Sequence, residues 1–311
     1  MALPTDHPAL AVIAPPRLPR FRALLGLAED DPIEANFTGW SKLVLLTATQ
    51  AILFPRDHTQ ADALQRDVTA LHAMADLHLG VIPRVRAVWD DPDLSALPIV
   101  VLDRLPGVGL DALVEQLPRQ VLGDVFAELG ALVARWHEVD PDAVPALPRR
   151  VPLEGVTTLA DELELDAGES RAAGRALARA ASLDPVLVHG DLHEGQLLVD
   201  AERPHRVTGV LDWQTARVDH PFVDFDLGEW GTAIWRGHRA HFPELRRRAW
   251  EAYAAQRGLP DDLASVFEWH HATAHARRLL GHRPFPVVHG AGVVGTLAEA
   301  RDRVRDALRD L

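Results

Sequence analysis

Short apolar or alternating runs mark the first third of the chain, and one longer helical repeat separates them. Two of these runs, over Ser41–Thr47 and Ala51–Phe54, flank a polar turn and predict a β-hairpin. Apolar residues at helical spacing predict a helix over Thr59–Leu77. Two further strands are predicted over Val85–Trp89 and Pro98–Leu102. The order of elements is therefore strand, strand, helix, strand, strand.

The pattern then becomes mainly helical. Val121–Glu138 carries apolar residues along one face, and we expect it to be a central buried helix. A helix, or a helix pair broken near Gly168 and Gly174, is predicted over Thr158–Ala181. The last part of the chain has helices predicted over Glu244–Gln256, Leu263–Leu280 and Val293–Leu308.

Between these helical regions lies a stretch of short strands with polar residues at their ends. The strands are predicted over Val186–Val188, Leu197–Val199 and Val207–Leu211. The polar residues that follow them are His189, Asp191, His193, Gln196 and Asp212. Because a rigid sheet holds the residues at its strand ends in fixed directions, we expect this stretch to carry chemistry.

These residue types at this spacing fit phosphoryl transfer. That reaction needs a carboxylate to accept the proton of the acceptor hydroxyl, and oxygen ligands that hold Mg²⁺ against the nucleotide phosphates. Asp191 is the candidate for the first role. Gln196 offers a side-chain carbonyl to the metal, and Asp212 offers a charged ligand.

The sequence resembles the aminoglycoside phosphotransferase family, kinases of small molecules with a protein-kinase-like fold. The resemblance is carried by the motifs His189-Gly190-Asp191-Leu192-His193 and Gly209-Val210-Leu211-Asp212-Trp213, followed by Asp224. Within that family, the run from Arg206 to Val218 is most similar to the macrolide phosphotransferases. The resemblance places Asp191 at the catalytic aspartate and Asp212 at the metal-binding aspartate. Gln196 stands where most members carry asparagine.

The resemblance also implies an architecture and an activity. The fold would be α+β and bilobal, with a β-rich nucleotide-binding lobe over residues 1–103 and a mostly helical lobe over 104–311. The activity would be transfer of the γ-phosphoryl group of ATP or GTP, with Mg²⁺, to a hydroxyl of a small molecule such as an aminoglycoside or a macrolide. The nucleotide base would meet the backbone near Leu102, Asp103 and Arg104.

Other residues receive supporting or substrate roles. His189, His193 and Asp224 are expected to support the catalytic loop without transferring protons. Asp226, Glu229 and Glu268 are candidate contacts for an amine-bearing acceptor, although solvation at the surface is the more common reason for such acids.

One part of the family pattern is missing. A kinase normally carries a basic residue on the third strand for the phosphates, paired with a glutamate on the next helix. Here Leu53 occupies the basic position and Asp67 the glutamate position. Either Lys42 or Arg56 supplies the cation instead, or the protein is a kinase-like binding protein that has lost nucleotide competence.

Composition limits the partners further. The 311-residue chain has no cysteine, which excludes disulfides, thiolate zinc sites and cysteine nucleophiles. Its net charge of −13 argues against nucleic-acid binding, and no apolar run is long enough to predict a membrane span. We expect a cytoplasmic monomer or weak dimer. All but one of its 32 basic residues are arginines, and the single lysine is Lys42, which suggests that a lysine is required there.

Overall fold

The computed structural model describes residues 8–36, 41–150, 159–227, 237–238, 240–280, 296–309 and 311. The chain divides into two compact units. Unit 1 comprises Met1–Pro106 and Thr208–Thr215, and unit 2 comprises Gly107–Val207 and Ala216–Leu311. The sequence placed its boundary after residue 103 and assigned the segment around Asp212 to the C-terminal part. The structure instead groups that short segment with unit 1.

Unit 1 is built on a five-stranded antiparallel sheet in the order β1-β2-β3-β5-β4. Its strands are β1 (Glu34–Asn36), β2 (Lys42–Leu46), β3 (Gln50–Pro55), β4 (Val85–Trp89) and β5 (Ile99–Asp103). The β2–β3 pair is the hairpin that the sequence predicts, with Lys42 opposite Pro55 and Val44 opposite Leu53.

Side chains alternate across this sheet, so each of its faces carries a different set of residues. The helices of the unit are α1 (Pro8–Val12), α2 (Leu18–Leu25) and α3 (Ala61–Ala73). Leu43, Leu45, Ile52 and Phe54 are fully buried in one cluster with Phe21 of α2. Alternation therefore puts the side chains of Lys42, Val44 and Leu53 on the other face.

The remaining strands are short and frame the predicted catalytic stretch. They are β6 (Val108–Gly109), β7 (Val186–Val188), β8 (Leu197–Val199), β9 (Val207–Val210) and β10 (Arg217–Asp219). In unit 2, β7 pairs with β10 and β6 pairs with β8, both antiparallel. The two ends of the loop between β7 and β8 are thus each fixed by a pairing strand.

The helices of unit 2 supply most of its core. They are α4 (Leu110–Leu113), α5 (Arg119–Trp136), α6 (Ala167–Ala180), α7 (Phe242–Arg257), α8 (Leu263–Leu279) and α9 (Leu297–Arg309). Helices α5 and α7 pack against each other, and α8 packs on α6 and α9 around the fully buried Trp269. In the described part of the chain, no helix is both long and apolar enough to cross a bilayer.

Most of the predicted elements match observed ones, but several observed short elements, such as β1, β6 and β10, were not predicted. For Thr158–Ala181 the sequence left open one helix or a helix pair, and the alternative with a break near Gly174 is wrong, because α6 continues through that residue. The helix begins instead after Asp166, which caps it together with Glu169 in a capping box. Strand β1 was not predicted, because its exposed residues Glu34–Asn36 lack an apolar face.

Candidate active site

The predicted catalytic aspartate lies in the loop that follows strand β7. Three buried apolar residues form β7, and the chain then turns through Gly190, whose φ of 83° favours glycine. The backbone N–H of Asp191 donates to Nδ1 of His189 at 3.2 Å, and His189 is fully buried. The Asp191 side chain itself is exposed. His189 therefore orients the backbone of an exposed residue.

The Asp224 carboxylate fixes the backbone of the same loop. Its carboxylate is fully buried and accepts hydrogen bonds from the backbone N–H of His189 at 3.0 Å and of Gly190 at 2.8 Å. The Trp136 indole donates to it at 2.9 Å, and His137 Nε2 lies 3.2 Å away. Burial would raise the pKa of Asp224, but its hydrogen bond from His137 and other contacts outweigh burial, and the pKa is lowered.

Trp136, His137 and Tyr253 are functional candidates that the sequence did not reveal. Burial lowers the pKa of His137, despite the opposing effect of Asp224, so its ring is neutral. The neutral ring donates through Nε2 to Asp224, and its Nδ1 accepts from the Tyr253 hydroxyl at 3.0 Å. Burial raises the pKa of Tyr253 to about 12, which keeps that hydroxyl protonated. The only sequence signals were a histidine at the end of an amphipathic helix and the single tyrosine of the chain.

Gln196, the predicted amide ligand, ends the same loop beside His193. His193 Nδ1 accepts from the backbone N–H of Gly195 at 3.1 Å, so in a neutral ring the proton sits on Nε2. The Gln196 side-chain amide, with its nitrogen placed toward the ring, lies 3.1 Å from that Nε2. Only the amide oxygen can accept from an Nε2–H group, so we assign Oε1 to this contact. His193 then orients the Gln196 amide oxygen.

Asp212 belongs to unit 1, where it forms an ion pair with the single lysine. Lys42 Nζ lies 2.7 Å from Asp212 Oδ1 and 2.6 Å from Asp67 Oδ2. Lys42 is 8% exposed and Asp67 is 2% exposed. Burial would lower the pKa of Lys42, but the carboxylates of Asp67 and Asp212 outweigh it, and the pKa is raised. Lys42 is therefore a buried cation held by two acids.

The backbone at Asp212 is held in a costly conformation. Its φ of 64° lies in the left-handed region, which is unfavourable by about 1–2 kcal/mol for a residue with a Cβ atom. The next residue, Trp213, is fully buried and donates its backbone N–H to Asp67 Oδ1 at 2.9 Å. Its indole donates to the Val210 carbonyl at 3.0 Å. These bonds fix the direction of the Asp212 carboxylate.

The two predicted metal ligands are thus divided between the units, with Gln196 in unit 2 and Asp212 in unit 1. Among the described residues, no group of three or more His, Asp or Glu side chains is arranged to hold a metal ion. This donor set still fits Mg²⁺, which prefers oxygen ligands and takes one or two from protein while phosphates and water complete its shell.

The segment predicted to meet a nucleotide base uses its donors within the sheet. The N–H of Asp103 donates to the Arg84 carbonyl at 2.9 Å, and that of Arg104 to the Thr49 carbonyl at 3.0 Å. Leu102 is a buried β5 residue. The N–H groups of Asp103 and Arg104 are therefore already used, and a nucleotide base could not bond them without breaking these hydrogen bonds. The predicted contact with a base stays a prediction for the other backbone groups of this segment.

Two of the three acids predicted to meet an amine-bearing acceptor, Asp226 and Glu268, each lie near an arginine. Arg278 donates to Asp226 at 3.0 Å. Burial would raise the pKa of Asp226, but the Arg278 charge outweighs it, and the pKa lies well below its usual value. Glu268 lies 3.8 Å from the fully buried Arg246. Glu229 lies outside the described residues. The structure therefore shows neither Asp226 nor Glu268 as an uncompensated acid.

Comparison with known proteins agrees with this arrangement. A family model described as the phosphotransferase enzyme family, APH, matches residues 38–269, which is most of the chain. The chain belongs to the phosphotransferase enzyme family. In this phosphotransferase family member, the matched region includes both the Asp191 loop and the Lys42–Asp67–Asp212 contacts.

Solved structures confirm the protein-kinase-like α+β fold of this phosphotransferase. The GDP complex of aminoglycoside 2′-phosphotransferase-IIIa is 15% identical, with a TM-score of 0.57 and 97% of both chains covered. The apoenzyme of macrolide 2′-phosphotransferase MphH from Brachybacterium faecium is 22% identical, with a TM-score of 0.57, covering 93% of this chain and 96% of that chain. At these identities the similarity establishes the fold alone.

A curated relative adds a shorter match. The uncharacterized protein YcbJ of Bacillus subtilis (strain 168) is 38% identical over a segment that covers 19% of this phosphotransferase. The chain spans only 24% of the length of that relative.

Proposed function

We propose that this phosphotransferase moves the γ-phosphoryl group of ATP or GTP to a hydroxyl group of a small molecule. The observation that carries the proposal is the exposed residue Asp191 on a loop whose backbone is fixed by buried His189 and Asp224. A general base needs both access to its substrate and a fixed position, and this loop provides both.

The roles of the side chains follow from their chemistry. Asp191 orients the acceptor hydroxyl and takes its proton as the phosphoryl group is transferred. Asp212 and Gln196 would each offer an oxygen ligand to Mg²⁺, and the ion would neutralise charge on the phosphates. His193 keeps the Gln196 oxygen in place, and Asp67 keeps Asp212 in place through the backbone of Trp213.

The nature of the donor and acceptor is supported by the relatives. One structural neighbour is a GDP complex of an aminoglycoside phosphotransferase, and another is a macrolide phosphotransferase. Because Asp226 and Glu268 are each faced by an arginine, we favour a large hydroxylated acceptor of macrolide type over a polycationic aminoglycoside. Neither the family match nor the loop geometry supports the alternative of an inactive binding protein.

The test combines an acceptor screen with a loop variant. Purified protein is incubated with Mg²⁺, ATP or GTP, and panels of macrolides and aminoglycosides, and phosphorylated product is detected by mass spectrometry. Asp191→Asn should lower turnover about 10²- to 10⁴-fold, the usual contribution of a general base, and leave nucleotide affinity within about twofold.

Asp200→Asn is the matched control, because Asp200 lies in the turn after β8 and its carboxylate holds only that turn. This control should keep full turnover. Equal turnover of Asp191→Asn and the parent protein would remove Asp191 from the mechanism.

A further inference from the structure

Strand β3 carries an apolar residue where the phosphates of a nucleotide would need a cation. Leu53 is 7% exposed and cannot bind phosphate. Lys42 pairs with Pro55, two residues along β3 from Leu53, so Lys42 and Leu53 are diagonal neighbours on one face of the sheet. Such neighbours lie about 7–8 Å apart, a gap that an extended lysine side chain can bridge.

We propose that Lys42, from β2, is the cation that holds the nucleotide phosphates in this protein, in place of a basic residue on β3. This proposal rests on the proposed function, since it names a residue on the donor side of that reaction. It assigns Asp67 of α3 as the carboxylate that positions the Lys42 ammonium.

The contacts of Lys42 support this role. Its ammonium carries three N–H donors, and in the described part of the chain it contacts only Asp67 and Asp212. One donor is therefore left for a phosphate oxygen. Placing an ammonium in a buried position is costly, and the carboxylates of Asp67 and Asp212, at 2.6 and 2.7 Å from Nζ, offset that cost.

The identity of the residue points the same way. Every other basic residue of the chain is an arginine. A guanidinium is a planar fork that matches one carboxylate edge, whereas a compact ammonium can face two carboxylates and a phosphate in three directions. The geometry around Lys42 therefore requires a lysine.

Arg56 is the competing cation, and its position disfavours it. It follows Pro55, the partner of Lys42, and side chains of consecutive residues in a strand point to opposite faces. Leu53, Pro55 and Lys42 share one face, so continued alternation puts the Arg56 side chain on the other face.

The experiment exchanges the two positions and measures binding without turnover. Dissociation constants for Mg²⁺–ATP, Mg²⁺–GTP and the two nucleosides without phosphates are measured by calorimetry. Lys42→Met should weaken triphosphate binding about 10- to 100-fold, the usual effect of losing a charge-assisted hydrogen bond, and leave nucleoside binding unchanged.

Leu53→Lys provides the reciprocal change. Alone, it should weaken triphosphate binding or stability, because two ammonium groups would share one face beside the same acids. Combined with Lys42→Met, it should recover at least tenfold of the lost affinity. If Lys42 had a purely structural role, Leu53→Lys would not be expected to weaken triphosphate binding alone and restore it in combination with Lys42→Met.

Arg56→Met is the control and should bind triphosphates as the parent protein does. Should Lys42→Met fail to fold, Lys42→Met with Asp67→Asn removes the unpaired acid as well and tests the same loss. Unchanged triphosphate affinity in the folded Lys42 variants would overturn the role of Lys42 and leave the proposed function standing. Failure of the parent protein to bind either nucleotide at millimolar concentration would refute the proposed function itself.

Discussion

Asp224→Asn tests how the catalytic loop is held, because it changes one buried oxygen to an NH₂ group with almost no change in shape. The Asp224 carboxylate is fully buried and meets four N–H donors. Oδ2 accepts from Trp136, His137 and the His189 backbone, whereas Oδ1 accepts, among the described residues, only from the Gly190 backbone.

The loss of stability in Asp224→Asn follows from the three donors at Oδ2 and the one donor at Oδ1. The least costly orientation of the asparagine puts its oxygen in the place of Oδ2 and turns its NH₂ group toward the N–H of Gly190. Two buried donors then face each other without an acceptor, at about 1–3 kcal/mol for each. A loss of about 2–6 kcal/mol is a large part of the 5–15 kcal/mol that typically stabilises a protein.

Urea denaturation gives the change in unfolding free energy, and hydrogen exchange followed by mass spectrometry reports on the peptide that contains His189 and Gly190. Asp200→Asn makes the same chemical change in a carboxylate that also accepts backbone N–H groups but lies at the surface. It should cost less than about 1 kcal/mol. Equal stability of the two variants, together with unaltered exchange in the loop, would refute our account of Asp224.

Two further predictions concern unit 2. Gly130→Ala should lower the free energy of unfolding by at least about 1–3 kcal/mol, because a Cβ atom there would overlap the Ala249 carbonyl oxygen of α7. Gly174→Ala, with open space around it, should raise that free energy by up to about 1 kcal/mol. Thermal unfolding distinguishes the two variants. Burial lowers the pKa of His220 to about 4, so the native state disfavours protonation of this ring. The free energy of unfolding should therefore fall as the pH drops from about 6.5 to 4, with a loss of about 3 kcal/mol at pH 4. His220→Asn, which can still accept from the Phe222 N–H, should reduce this pH dependence, and an identical pH–stability curve would contradict it.

The sequence was most informative where one residue pattern determines one element. Strand β4 has the predicted bounds, Val85–Trp89, and helix α5 is shifted from its prediction by only two residues at each end. The Gly174 prediction failed because local helix-breaking tendency was outweighed by packing of the alanine face of α6 against its neighbours.

The candidate site was predictable only in its motif residues. Asp191 and Asp212 stand out because each follows an apolar strand. The support from Trp136 and His137 to Asp224 joins residues more than eighty positions apart, and no local pattern reports such a contact. Likewise, the sequence favoured Lys42 over Arg56 only because Lys42 is the single lysine, and the register of the β2–β3 hairpin was needed to assign Lys42 to a face of the sheet.

Unit 1 contains a late segment of the chain, Thr208–Thr215, so it cannot be completed when its N-terminal part has been synthesised. When Pro106 has been made, Lys42 and Asp67 are present, but Asp212 and Trp213 are not. At translation rates of about 5–20 residues per second, the missing segment follows roughly 5–20 s later. For that interval the Lys42 ammonium has only one of its two acids, and the Asp67 carboxylate has no Trp213 N–H to accept. The polar contacts of unit 1 can therefore be completed only after the Asp191 loop of unit 2 has been synthesised.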